Sequence, residues 1–144
     1  MKYEATIDLS NKNNSHTLIF DQICKNSPSR PLKILEVGCS SGYLGAALTK
    51  EGHEVWGVEP NTEAANAASQ VLHSVFIGFL DDFLASYAAE KFDVIIFGDV
   101  LEHLADPEAA LKKCTAFLSD EGVLVASIPN VTHFSIRAMM LEGR

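Results

Sequence analysis

The stretch from Leu32 to Leu48, LKILEVGCSSGYLGAAL, constrains the fold of this chain more than any other. Ile34, Leu35 and Val37 form a short apolar run suited to a strand buried on both faces. Gly38 breaks that run, and the small residues Cys39, Ser40 and Ser41 follow. Gly42 then opens a segment with Leu44, Ala47 and Leu48 at helical spacing. Strand, glycine-rich turn and helix in this order make the unit with which α/β proteins bring their backbone close to a nucleotide. Glycine suits the turn because a Cβ would collide with a ligand lying on it. Gly45, in the first helical turn, predicts a helix lying close on the sheet.

The turn also restricts the ligand. A dinucleotide fingerprint calls for Gly at position 40, where this chain has Ser40, and no Gly-Lys-Ser/Thr of a phosphate loop is present. Between Ile34 and Thr49 there is no Lys or Arg to meet a pyrophosphate. Glu36 instead stands near the end of the strand, two residues before the first glycine. A carboxylate there favours a cation and repels a phosphate. S-adenosylmethionine (SAM) fits these demands, since it carries a sulfonium and an ammonium and no phosphate.

ILEVGCSSGYLGAAL resembles the first SAM-binding motif of class I methyltransferases, an acid followed by spaced glycines. Glu36, Gly38 and Gly42 match it. Ser40 replaces the middle glycine and still offers a backbone N–H. The resemblance implies cofactor contacts from Glu36, Gly38, Cys39, Ser40, Gly42 and Tyr43, although the small size of Cys39 alone accounts for its place in a tight turn. In VWGVEP, Glu59 lies at the end of the second expected strand, where an acid can accept both ribose hydroxyls; it resembles the family's ribose-binding acid, with Pro60 packing near the adenosine. After the third strand the family places an acid for the adenine amino group. Here Gly78 is followed by Phe79, so either Asp81 takes that role or Phe79 packs on the ring. Equally, Asp81 and Asp82 are ordinary acids at a helix start.

A second resemblance lies in FDVIIFGDVLEHLADP, Phe92 to Pro107, which is similar to the fourth-strand motif of small-molecule O-methyltransferases related to ubiquinone biosynthesis enzymes. It implies that Asp99 and Val100 line the pocket beside the methionine end. It also turns His103 toward the acceptor, as the side chain best suited to take a hydroxyl proton near neutral pH; the competing reading is a histidine packing on a helix. Glu102 either points to solvent or sets the His103 tautomer. His16 is either a residue closing over the cofactor or a plain helix-start residue. His133 sits in a segment, Pro129 to Phe134, that resembles the loop after the family's fifth strand. His53 and His73 read as strand-edge residues.

Strands are expected over the first apolar run, His53–Val58, Ser74–Ile77, Phe92–Phe97 and Val123–Ile128, with helices between them. This alternation predicts an α/β fold with a doubly wound, mainly parallel sheet. The resemblance makes it Rossmann-like, with about five strands of the family's usual seven. The fifth strand would then be an open, apolar edge, which suggests either a chain incomplete at its C-terminus or a homodimer formed through that edge. Ser15 is expected to cap a helix to about Asn26 with Leu18, Ile19 and Ile23 on one face. Asp106 and Pro107 start another helix, and Asn61 caps a third. An amphipathic helix is expected over Phe134–Leu141. Residues 1–30 thus form a leader and helix, lying over the ligand edge as a lid or against the flank, and 31–144 form the SAM-binding domain.

At 144 residues and 47% apolar, the chain is long enough for one domain with a buried core. A net charge of −8 lacks the basic footprint of a nucleic-acid binder. No run approaches the length of a membrane span, and the polar N-terminus carries no signal core, so a cytoplasmic protein acting on a small-molecule or saccharide acceptor is expected. Cys24, Cys39 and Cys114 follow no metal-ligand spacing, and no metal is expected. A SAM-binding module without catalysis and a nicotinamide-dependent oxidoreductase are the competing readings. Ser40 and the acidic turn count against the second.

Overall fold

A computed structural model of the chain describes residues 8–130 together with Met139 and Leu141. The elements are α1 (Ser15–Asn26), β1 (Lys33–Val37), α2 (Tyr43–Lys50), β2 (Glu54–Glu59), α3 (Thr62–Ala68), β3 (Ser74–Ile77), α4 (Leu80–Ser86), β4 (Phe92–Gly98), α5 (Pro107–Thr115) and β5 (Leu118–Ser127). A 3-10 turn, Leu101–His103, precedes α5. The five strands form one parallel sheet in the order β3-β2-β1-β4-β5. The doubly wound α/β expectation holds, strand for strand.

Alternation along β1 explains why the sheet is covered on both sides. Ile34 joins Ile19 and Ile23 of α1 and Leu44 and Leu48 of α2 in one core. Leu35 and Val37 face the other way, into a core with Phe83, Phe97 and Cys114. A strand buried on both faces reads as a continuous apolar run, as this one does. The chain winds outward from β1 to β3 and then crosses back to β4 on β1's other side. Direction therefore reverses between β1 and β4, and a crevice opens there at the carboxyl ends of the strands.

Two boundaries of the sequence reading are corrected. Asn14, not Ser15, caps α1: its side chain accepts from the backbone N–H groups of His16 and Thr17. Shifting the cap puts Thr17, Ile19 and Ile23 inward and leaves Leu18 exposed. β5 begins at Leu118, pairs with Phe92 and then shifts register before Val123 meets Val94. The polar stretch Ser119–Gly122 is thus an irregularity within the strand rather than a turn before it. Among the described residues β5 pairs only with β4, and Val123 is 52% exposed. His133 and nearly all of the helix expected over 134–141 lie outside the described residues.

Asp93 fastens the amino ends of β1, β4 and β5 together. Its carboxylate takes a two-pronged contact from Arg30 (2.9 and 2.9 Å), the Lys33 N–H (2.9 Å) and the Ser119 hydroxyl (3.1 Å). These donors, Arg30 first, hold its carboxyl well below the usual range. We expect Asp93→Asn to destabilise the chain by about 1–3 kcal/mol at pH 7 in urea denaturation. The loss should shrink as the pH falls, because a carboxylate with a depressed folded-state value stabilises in full above its unfolded value and loses that effect as the pH drops toward the folded one. A pH-independent difference would contradict this account. His53 is also structural rather than a bare strand-edge residue, since its Nδ1 accepts the Leu32 N–H at 3.2 Å. His73 stacks on Trp56 with ring centroids 5.8 Å apart.

Candidate cofactor and acceptor site

The turn after β1 is a cradle of left-handed backbone. Gly38, Ser40 and Gly42 have φ of +71°, +48° and +80°. The turn is held from below, because the N–H groups of Gly38 and Cys39 both donate to the Val58 carbonyl, at 2.8 and 3.2 Å. It is held from the side by Glu59, which accepts the Ser40 N–H on Oε2 (2.9 Å) and the Asn61 N–H on Oε1 (2.8 Å). Each carboxylate oxygen accepts one of these bonds and keeps capacity for another. Ser40 therefore takes the left-handed place of the family's glycine, and its N–H positions the acid from the end of β2.

Glu36 differs most from its expected setting. It projects from β1 on the Ile34 side, under α2, and is 4% exposed. A Cβ on Gly45 would lie 2.9 Å from its Oε2, which is why the helix can come down here only on a glycine. Oε2 is buried and has no hydrogen-bond partner. Burial pushes the carboxyl up to about 8, with the Gly45 backbone pulling weakly the other way. Glu36 is thus a buried acid that keeps its proton at neutral pH, rather than an open carboxylate at the rim. A cation brought to Oε2 would supply the missing partner, so the residues fit a cationic adenosyl donor.

The other wall comes from β4. Asp99 is left-handed as well (φ +56°), a conformation that a short polar side chain tolerates. It is pinned by Ser127, whose hydroxyl donates to Oδ1 (2.7 Å) and accepts the Asp99 N–H (3.0 Å), and by the Ser15 hydroxyl on Oδ2 (2.6 Å). These bonds outweigh its partial burial and lower its carboxyl. Val100 packs on the cradle, its Cγ2 only 2.6 Å from where a Gly38 Cβ would be. Between α1 and the carboxyl end of β5 lies a groove of about 640 Å³. Leu18, Ile19 and Val125 make its apolar walls, and Ser15, Asp99 and Ser127 its polar end.

The structure therefore brings Gly38, Ser40, Gly42, Tyr43, Glu59, Asp99 and Val100 to the carboxyl ends of β1, β2 and β4, with Glu36 buried behind them under α2. Pro60 stands exposed beyond β2. Two expected contact residues have protein partners here. The Cys39 side chain is buried against Gly57, and its N–H donates to Val58. Asp81 turns away to Lys113 of α5, at 2.8 Å. Phe79, by contrast, is 68% exposed directly after the left-handed Gly78 and is free to meet a planar ring. His103 sits on the 3-10 turn with its side chain 77% exposed and Glu102 4.0 Å away. The sequence does not join Ser127, at the end of β5, to Ser15 and His16, which are adjacent at the start of α1. Among the described residues no group of three or more His, Cys, Asp or Glu could hold a metal ion, and no helix is long and apolar enough to cross a membrane.

Comparison with known proteins agrees with this fold. A family model described as a methyltransferase domain matches residues 11–143. A ubiquinone biosynthesis O-methyltransferase of Actinobacillus pleuropneumoniae serotype 7 (strain AP76) is 36% identical over 120 residues, covering 76% of this chain and 49% of that protein. The protein of the same name from Psychrobacter arcticus is 36% identical over 107 residues, covering 68% of this chain and 41% of its own length. The chain thus spans about half the length of the relatives it matches. Among solved structures, a TehB-like SAM-dependent methyltransferase from Corynebacterium glutamicum superposes with a TM-score of 0.65 at 29% identity, covering 78% of this chain and 61% of that one. The plantazolicin methyltransferase BpumL, in complex with SAH, reaches a TM-score of 0.66 at 19% identity over 81% of this chain and 46% of its own.

Proposed function

This chain belongs to the methyltransferase domain family, and we propose that it is the SAM-binding part of an enzyme that methylates an oxygen of a small molecule or saccharide. SAM is the cofactor of that family. When bound it supplies a methyl group on a sulfonium, already a good leaving group, so the protein has chiefly to align donor and acceptor. Glu59 would hold the ribose, the Gly38–Gly42 cradle the adenosyl backbone, Phe79 the adenine ring, and Glu36 with Asp99 the cationic methionine end. The groove between α1 and β5 would take the acceptor, with its apolar part on Leu18 and Val125 and its hydroxyl toward the polar end. His103 would face the acceptor from the rim.

One observation carries this reading. The Glu59 carboxylate at the end of β2 bridges the Ser40 and Asn61 N–H groups, one on each oxygen, and each oxygen can still accept a hydroxyl of a sugar diol. Its test is calorimetric titration with SAM, S-adenosylhomocysteine and NAD side by side. SAM and its demethylated product should bind and NAD should not. Glu59→Ala should weaken SAM by about ten- to a hundredfold, the loss of two charge-assisted hydrogen bonds. Binding of NAD in place of SAM would turn the reading toward an oxidoreductase. The open edge of β5 would accept further strands or a second copy of the chain, and gel filtration at two concentrations separates these.

A further inference from the structure

Within the crevice, three titratable groups are wired together in a way that holding a cofactor does not require. His16, in the first turn of α1, places Nε2 3.1 Å from the Tyr43 hydroxyl at the start of α2, with the two rings edge to face at 5.0 Å between centroids. The imidazole also lies against Gly98, where a Cβ would come within 3.2 Å of Nε2, so it stands directly over the end of β4. Its neighbour Ser15 is bonded to Asp99, which fixes the whole turn over the site.

Each member is in the protonation state that a relay needs. Burial raises the Tyr43 phenol to about 12, so it holds its proton at neutral pH. Burial likewise lowers His16 below the usual imidazole value, so it is neutral and able to accept. With the phenol as donor, Nε2 is the accepting atom and the ring proton sits on Nδ1. Asp99 is the charge that acts on His16, favouring the protonated ring, and it acts on Tyr43 as well. Asp99 itself is a poor base, since Ser15 and Ser127 occupy its oxygens.

We propose that Tyr43 and His16 form a proton relay for the acceptor hydroxyl, with Asp99 steadying the charged imidazole. The inference rests on the methyl-transfer reading and assigns to it the destination of the proton. As the acceptor oxygen bonds to the methyl carbon and the carbon–sulfur bond breaks, the hydroxyl proton passes to the Tyr43 oxygen. The phenol's own proton moves to His16 Nε2. The phenol ends neutral and the imidazole carries the charge, to be released to water.

Two readouts test it. NMR titration of the ligand-free chain follows the His16 ring in wild type, Tyr43→Phe and Asp99→Asn. Loss of the phenol donor should move the His16 titration upward, and loss of the Asp99 charge should move it downward. An unmoved titration in both variants overturns the relay. Transfer of labelled methyl from SAM to catechol and to glucose is the second readout. On whichever is methylated, Tyr43→Phe and His16→Gln should each lower kcat at saturating SAM by about tenfold or more and flatten its rise with pH. Wild-type kcat and pH profile in both variants would overturn the relay with the function intact. Failure of the wild-type chain to bind SAM would instead count against the function, and the NMR result would still decide whether the three groups are coupled.

Discussion

A Glu36→Gln chain is expected to unfold at a higher temperature than wild type at pH 8 and at the same temperature at pH 4. In the unfolded chain this carboxyl ionises near 4.5, whereas burial in the folded chain delays ionisation to about 8. Between those values the folded state holds the extra proton, so raising the pH favours unfolding. Below 4.5 both states are protonated and above 8 both are ionised, so the slope vanishes at either end. By pH 8 the penalty is on the order of 3–5 kcal/mol, an upper range for a buried carboxyl. The amide has nearly the same shape and carries none of it. At about 2–4 °C per kcal/mol, the variant should gain roughly 10 °C. Thermal scans at pH 4, 6 and 8 check this, and two parallel curves would show that Glu36 ionises freely in the fold.

The same substitution should impair the ligand. A cation at Oε2 favours the charged carboxylate, so SAM binding to the wild type would expel a proton and tighten as the pH rises from 6 to 8. The Gln variant should bind SAM more weakly, without that rise. Calorimetry in two buffers of different ionisation enthalpy reads the released proton directly. Stability gained together with affinity lost marks a residue kept for binding rather than for folding.

How far all this was legible in the sequence depends on the range over which each signal acts. Local chemistry was readable. Gly38 and Gly42 in a turn, Asn61 before a helix and Asp106-Pro107 at the start of α5 each act within a few residues, and the structure places them as expected. So was the order of the elements, because FDVIIF and KILEV are apolar enough to need cover on both faces. What required the fold was any partnership across the chain. Nothing near Asp99 announces Ser127, 28 residues on, or Ser15, 84 residues back. Glu36 was legible as an acid at a strand end. Its dryness was not, because that depends on Gly45 letting α2 close over it. The cap of α1 failed for a local reason: Asn14 and Ser15 are both good caps, and packing of Ile19 and Ile23 chose between them.

Gly38→Ala should cost about 2–5 kcal/mol, and a second substitution should return much of it. The loss has two separable parts. A residue with a Cβ at φ +71° is strained by roughly 1–2 kcal/mol. The new methyl would also lie 2.6 Å from the Val100 Cγ2, and such overpacking costs about 1–3 kcal/mol. The turn cannot swing aside to relieve it, because the Gly38 N–H is bonded to the Val58 carbonyl at 2.8 Å. In a Val100→Ala background the collision disappears and only the backbone strain remains. Gly52 provides the reference, since its φ is +91° and a Cβ there meets nothing within 4 Å. Gly38→Ala measured on Val100→Ala should therefore cost about what Gly52→Ala costs on the wild type. Urea denaturation of the four variants completes the cycle, with an expected coupling of about 1–3 kcal/mol. Additive losses would mean that Val100 does not press on the cradle. SAM affinity should follow the same pattern, falling in Gly38→Ala and recovering in the double variant, because the methyl acts by displacing the turn.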